Sequence, residues 1–164
     1  MPQLELITSK ILSPAQLQKA LNLWQFQSKK VVFTNGCFDL LHPGHIDYLS
    51  KARDLGDILV IGLNTDNSVK RLGKSGNRPV NNEQARAMLL ASLRFTDAIV
   101  LFDEDTPYEL IKKIQPDVLV KGNDYKAEDI VGYDIVSAKG GEVATIPLVE
   151  GYSTSSIIHR IQTG

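Results

Sequence analysis

Two of the three histidines in this 164-residue chain, His42 and His45, stand three residues apart in the stretch Thr34-Asn35-Gly36-Cys37-Phe38-Asp39-Leu40-Leu41-His42-Pro43-Gly44-His45. The stretch follows a short apolar run, Lys30-Val31-Val32-Phe33, and opens a helical segment expected from Gly44 to Leu55, with Gly56 as its C-terminal cap. Gly36 allows a tight turn and close approach of the backbone to a ligand. A helix entrance presents unpaired backbone N–H groups and the positive end of the dipole, so two imidazoles placed there could grip a phosphoryl group. Other readings of the pair stay open: one histidine caps the helix and the other packs, or both bind zinc. For zinc, His-x-x-His supplies only two ligands, and His159 lies near the other end of the chain.

Three further stretches carry groups suited to anions. Gly62-Leu63-Asn64-Thr65-Asp66-Asn67-Ser68-Val69-Lys70-Arg71 is followed by Lys74, Arg78-Pro79-Val80-Asn81 and Arg86; from Lys70 to Arg86 five Lys/Arg face one acid, Glu83, a local excess of +4. Such a run is either a solvated helix face or an anion site, and its place after a second apolar run favours the latter. Near the end, Glu150-Gly151-Tyr152-Ser153-Thr154-Ser155-Ser156 puts hydroxyls at a helix start, an anion cradle or a simple N-cap. Val120-Lys121-Gly122-Asn123-Asp124-Tyr125 leaves another apolar run, with Gly122 allowing close approach and Asp124 available to a ribose hydroxyl. Gly73-Lys74-Ser75 mimics the end of a phosphate-binding Walker loop, but Ser68 stands where that loop needs glycine and no Gly-x-Gly-x-x-Gly occurs.

The elements that must position these residues are legible from hydrophobic pattern. Lys30–Phe33, Ile58–Ile61, Ala98–Leu101, Val118–Val120 and Val143–Ile146 are continuously apolar and rich in β-branched residues, as strands covered on both faces are. Helical patterns lie between them. Ser13-Pro14 and Thr106-Pro107 offer N-cap and first-turn proline, and Asn82 to Leu93 is expected to turn Ala85, Met88, Leu89 and Ser92 inward. Alternating strand and helix predicts an α/β fold with a Rossmann-like, doubly wound, five-stranded parallel sheet, whose ligands sit beyond the carboxyl ends of the strands. A single domain is expected, with residues 1–29 as a leader helix and 30–162 as the core.

Composition narrows the function. Eighteen Lys+Arg against 19 Asp+Glu give a net charge of −1, with pI about 6.3, which argues against nucleic-acid or anionic-membrane binding through bulk charge. No apolar run approaches the ~20 residues of a membrane span, the start lacks a signal segment, and Cys37 is the single cysteine, so a cytoplasmic location is expected.

Gly36-Cys37-Phe38-Asp39 and His42-Pro43-Gly44-His45 together resemble the nucleotidyltransferase superfamily with the His-x-Gly-His motif. Within it, Lys10-Ile11-Leu12-Ser13, Arg78-Pro79-Val80-Asn81, Asp103-Glu104-Asp105-Thr106-Pro107, Pro116–Gly122 and Gly140-Gly141-Glu142-Val143 are similar to the adenylyltransferase domains of ADP-heptose synthases. Asn123 and Tyr152 depart from the usual pattern. The resemblance implies a nucleotidyltransferase-type fold and transfer of an adenylyl group from ATP, with Mg²⁺, to D-glycero-β-D-manno-heptose 1-phosphate. It implies His42, His45, Lys70 and Arg71 as catalytic residues. For the nucleotide it implies Asn35, Gly36, Cys37, Phe38, Asp39, both histidines, Arg86, Lys121, Gly122, Asp124, Tyr152, Ser153, Thr154 and Ser155. Asn64, Asp66, Lys70, Lys74 and Arg78 are implied for the sugar phosphate, Asp39 as a candidate magnesium ligand, and a homodimer or higher homo-oligomer as the assembly. Cytidylyl transfer to glycerol 3-phosphate and a non-catalytic nucleotide-binding module are the competing readings.

Overall fold

The five apolar runs form five strands: β1 (Val31–Gly36), β2 (Ile58–Asn64), β3 (Ala98–Phe102), β4 (Val118–Gly122) and β5 (Glu142–Ile146). They are described by a computed structural model covering residues 1–73 and 77–164. The sheet order is β3-β2-β1-β4-β5 and every neighbouring pair is parallel. The chain steps outward from β1 to β3 and then returns to lay β4 against the other side of β1. Loops leaving β1 and β4 therefore diverge to opposite faces and open a crevice between them.

Among the described residues eight α-helices accompany the strands: α1 (Gln3–Thr8), α2 (Pro14–Phe26), α3 (Pro43–Arg53), α4 (Asp66–Arg71), α5 (Glu83–Ala91), α6 (Tyr108–Ile114), α7 (Tyr133–Ala138) and α8 (Thr154–Thr163). On one face Leu49 and Ala52 of α3 and Leu90 and Ala91 of α5 pack with Val32, Leu59 and Ile61. On the other, Leu17 of α2, Ile111 and Ile114 of α6 and Val136 of α7 pack with Val31, Phe33, Val60 and Leu119. Cover on both faces is why β1 to β4 do not alternate in polarity, whereas β5, at the edge of the sheet, stays half-exposed.

The amino ends of the strands are tied by a repeated device. Asp57, Asp97 and Asp117 directly precede β2, β3 and β4, and their carboxylates accept the backbone N–H groups of Lys30, Leu59 and Val31, each at 2.8 Å. Register is thus fixed at one end of the sheet, and the other is left to the ligand-facing loops.

Residues 1–29 form two helices in place of the single leader helix expected. Between them Lys10 and Leu12 pair with Ile99, which donates to the Lys10 carbonyl at 2.8 Å and accepts from Leu12 N–H at 2.9 Å, so the leader covers the β3 edge. Ser13 caps α2 reciprocally with Gln16 as its sequence suggests. Three local expectations are corrected. Pro107 itself is the N-cap residue of α6 and no side chain caps that helix. In α5 the inward residues are Arg86, Ala87, Leu90 and Ala91, with Leu89 exposed, because a buried arginine occupies the face that an apolar count assigns to others.

Gly56 is not a left-handed cap, since α3 ends at Asp54 in a right-handed conformation. Its requirement is space: a Cβ there would lie 2.7 Å from the Lys30 carbonyl oxygen and 2.7 Å from Val32 Cγ2. Because one neighbour is backbone, it cannot rotate away. Gly56→Ala is expected to lower unfolding free energy by ~1–3 kcal/mol in urea denaturation; an unchanged midpoint would show that the strand entry relaxes freely.

Candidate active site

The loop from β1 to α3 is held open by an unusual backbone. Phe38 is left-handed, with φ 45°, a conformation costing a non-glycine residue about 1–3 kcal/mol. It brings the Phe38 ring back over Gly36, where an added Cβ would meet Phe38 Cε2 at 2.9 Å, and edge-on to His45 at 5.3 Å between centroids. His42 is the N-cap of α3, its Nδ1 accepting the His45 N–H at 3.3 Å, so its neutral form carries the proton on Nε2. The two imidazoles stack at 3.7 Å and 20°. Tyr152 stacks in turn on His42, at 6.2 Å and 17°. Gly44 makes this possible, for a Cβ would sit 3.0 Å from the His42 ring and 3.3 Å from Tyr152 Cβ. Desolvation lowers the His42 pKa from its ordinary 6.5, favouring neutral imidazole. One turn beyond His45, Tyr48 hydrogen-bonds Thr34 Oγ1 at 2.8 Å; burial, first, pushes its hydroxyl up to about 12, so it stays protonated.

Two buried charges strap this loop to its neighbours. Asp39, 1% exposed, accepts the N–H groups of Val80 at 2.9 Å and Asn81 at 3.0 Å and Nε of Arg78 at 3.2 Å. Asn81 Nδ2 donates back to the Asp39 carbonyl at 3.1 Å. The segment 78–81 is thereby fastened over the loop with Arg78 at the cleft. Arg86, 0% exposed, donates to the carbonyls of Cys37 at 2.7 Å, Asn64 at 2.8 Å and Asn81 at 3.0 Å, and to the Asp66 carboxylate at 2.7 Å.

The resulting cleft straddles the carboxyl end of β1 in two lobes. The first, about 370 Å³, collects His42, His45, Arg78, Lys121, Thr154 and Ser155, with Tyr152 and Leu148 among its apolar walls. The second, about 420 Å³, shares Asn35, Gly36, Cys37, Lys121 and Tyr125 with the first and adds the end of β2 and the loops before α6 and α7. A larger cavity, about 780 Å³, opens at the amino ends of the strands beside Lys30 and Asp117, away from the histidines.

Of the residues singled out from sequence, Asn35 to Asp39, His42, His45, Arg78, Lys121, Gly122, Asp124, Tyr152, Thr154 and Ser155 line the first lobe, and Asn64 the second. Gly122 allows close packing, a Cβ there meeting Asp124 Oδ1 at 2.8 Å. Ser153 caps α8, accepting Ser156 N–H at 3.0 Å. Lys70 and Arg71 lie at the exposed end of α4 outside both lobes, and Arg71 pairs with Asp105 at 2.9 Å and with Asp103, which together raise its pKa. Lys74 lies outside the described residues. Arg86 and Asp66 line neither lobe: the guanidinium is bonded to the Asp66 carboxylate and to backbone carbonyls, which places the pair behind the β1–α3 loop. Asp39, the candidate magnesium ligand, also lines the first lobe, with its carboxylate oxygens accepting from Arg78, Val80 and Asn81. Tyr48, Tyr125, Leu148 and Val149 also line the first lobe. Tyr48 could have been found from its helical spacing with His45, and Tyr125 from its place beside Gly122 and Asp124; Leu148 and Val149 carry no motif.

A sequence model of the family described as cytidylyltransferase-like matches residues 33–160. The bifunctional protein HldE of Hyphomonas neptunium is 57% identical over 141 residues, 86% of this chain and 29% of that one. The HldE of Wolinella succinogenes is 50% identical over 153 residues, 93% and 31%. The chain thus spans less than a third of the length of these curated relatives. Among solved structures, a lipopolysaccharide core biosynthesis protein from Thermoplasma volcanium superposes with TM-score 0.60 at 26% identity, over 76% of this chain and 99% of that one. Pantoate-beta-alanine ligase from Francisella tularensis shares the fold, with TM-score 0.58 at 14% identity over 93% and 76%.

Removing the Arg86 charge would leave Asp66 and three loop carbonyls without their donor. Arg86→Met is expected to cost about 3–5 kcal/mol in chemical denaturation. A loss below ~1 kcal/mol, the range of an exposed pair, would show that the buried guanidinium does not hold the loops.

Proposed function

This chain belongs to the cytidylyltransferase-like family of nucleotidyltransferases, and from that premise we propose that it condenses ATP with D-glycero-β-D-manno-heptose 1-phosphate to give ADP-heptose and pyrophosphate. The observation that carries this reading is the convergence of His42, His45, Arg78, Lys121, Thr154 and Ser155 on one lobe at the switch point of the sheet. Similarity to HldE proteins over most of this chain, and to the Thermoplasma lipopolysaccharide core biosynthesis protein, supports the choice of sugar phosphate and of ATP.

A phosphate monoester oxygen of the acceptor attacks the α-phosphorus of ATP, a P–O bond forms, and the bond to pyrophosphate breaks with its electron pair leaving on that product. The nucleophile is already anionic at neutral pH, so no general base is required. The difficulty is bringing two polyanions together: each pair of unit charges at 4 Å repels by ~1 kcal/mol in water and several times more in a partly dry cleft. Many fixed donors suit this task better than one strong acid. His42 and His45 meet the α-phosphate and the charge that develops there, Thr154 and Ser155 at the entrance of α8 take the β- and γ-phosphates, and Arg78, held by Asp39, draws the acceptor phosphate in. Lys121 sits between the lobes, within reach of either substrate. Mg²⁺, bound with ATP, would be held chiefly by phosphate oxygens and water and would offset the charge of the triphosphate, with Asp39 as the one candidate protein ligand, at present bonded to Val80 and Asn81. No helix among the described residues is long and apolar enough to cross a membrane, and both substrates are water-soluble.

Pyrophosphate release tests the reading directly. Turnover is expected with ATP and the heptose 1-phosphate; turnover only with CTP and glycerol 3-phosphate would replace both substrates, and none with any pair would leave a binding module. His45→Ala is expected to lower kcat by about 10²–10³ with ATP affinity little changed. Because desolvation lowers the His42 pKa and an arriving polyanion would raise it again, nucleotide binding should take up a fraction of a proton near pH 6.5. Calorimetry in buffers of different ionisation enthalpy should find that uptake reduced in His42→Gln; equal uptake would contradict the contact.

A further inference from the structure

We propose that the second lobe of the cleft is the subsite that reads the hydroxyl groups of the acceptor sugar, with Asp129 and Val131 as residues that determine acceptor specificity; this rests on the sugar-phosphate reading above. The lobe differs in chemistry from its neighbour. The first is rich in cations and hydroxyls. The residues the second adds are a buried amide, Asn64, a hydroxyl, Thr106, two carboxylates, Asp105 and Asp129, and apolar side chains that include Pro107 and Val131; among the described residues lining it the only cation is Lys121, at the junction. A phosphate deeper than Lys121 would meet the Asp129 carboxylate and an Asp105 already paired with Arg71, and no further cation among the described lining residues. A neutral polyol would instead find carboxylate acceptors for its hydroxyls and apolar surface for its C–H faces.

Two further observations point to a hydrogen-bonding ligand. Asn35 lines both lobes, and its Oδ1 is buried with no hydrogen-bond partner among the described residues. A buried acceptor left unpaired costs roughly 1–3 kcal/mol, and a ligand hydroxyl would relieve it. Asp105 is oriented at the rim by Arg71, whose Nε lies 2.9 Å from its Oδ1, so Arg71 acts here as a positioning residue. The shared floor of Asn35, Gly36 and Lys121 then places the acceptor phosphate between the lobes, facing the histidines, with the sugar pointing away from the nucleotide.

Asp129 and Val131 are exposed, so their substitution spares the core. Asp129→Ala and Val131→Trp, the latter filling the lobe, would be compared with wild type by pyrophosphate release and by calorimetric titration with ATP and, separately, with heptose 1-phosphate. Both variants should raise the KM for heptose 1-phosphate by about tenfold or more while the ATP Kd stays within twofold. Weakened ATP binding with an unchanged acceptor KM would assign the lobe to the nucleotide and overturn the proposal, as would no change in either. Wild type that releases no pyrophosphate overturns the reaction, not the lobe. In that event the titration decides: heptose 1-phosphate binding lost in Val131→Trp upholds the subsite, and binding unaffected by the substitution, or absent from wild type, rejects it.

Discussion

A guanidinium withdrawn from water must recover its hydration in hydrogen bonds, and Arg86 recovers it from three different loops. Cys37 lies after β1, Asn64 at the end of β2, and Asn81 before α5, and the carbonyls of all three accept from one side chain whose charge is balanced by Asp66. Distortion of any one loop would leave a buried donor or carbonyl unpaired, so the three are forced into one arrangement. Asp39 repeats the principle with the opposite sign, a buried carboxylate neutralised by two backbone N–H groups and Arg78. Everything that faces the cleft from this side, including the strained Phe38 turn and the stacked histidines, is built on that pair of buried ions.

Under the proposed reaction, the arrangement lets a nearly neutral protein handle polyanions. Its net charge of −1 gives no long-range pull. What it offers is a set of donors whose positions are fixed before any ligand arrives, so little reorganisation is needed when charge develops. The local excess of cations between Lys70 and Arg86 turns out to be divided: Arg78 faces the cleft, Arg86 is structural, and Arg71 is neutralised by Asp103 and Asp105. Charge density along the chain is a weaker guide than which cations are released from internal partners.

The sheet was readable because strands buried on both faces, as β1 to β4 are, leave an unbroken apolar record, while the edge strand β5 was legible from its shorter run Val143–Ile146. The histidine loop was readable because its residue types and spacing are dictated by chemistry. What escaped the sequence has a common cause. Arg86, Asp66 and Asp39 are charged side chains used as internal fasteners, and in sequence a fastener and a ligand contact look alike; only their burial distinguishes them. Gly56 was misread in the same way, as a residue needing freedom of φ when it needs absence of a side chain. The N-cap role of Ser13 was legible, since capping depends on residues only three positions away, whereas the hydroxyl cluster at 153–156 left open which residue caps α8, a role Ser153 takes.

The central claim, that fixed loops present the stacked histidines to a nucleotide triphosphate, is tested most directly by a crystal structure with a non-hydrolysable MgATP analogue. The account predicts the α-phosphate within hydrogen-bonding distance of His42 and His45, the terminal phosphates at Thr154 and Ser155, and the Asp39–Val80 and Arg86–Cys37 bonds unchanged. A triphosphate seated on α4 at Lys70 and Arg71, or Asp39 released from its strap to ligate the metal, would contradict it.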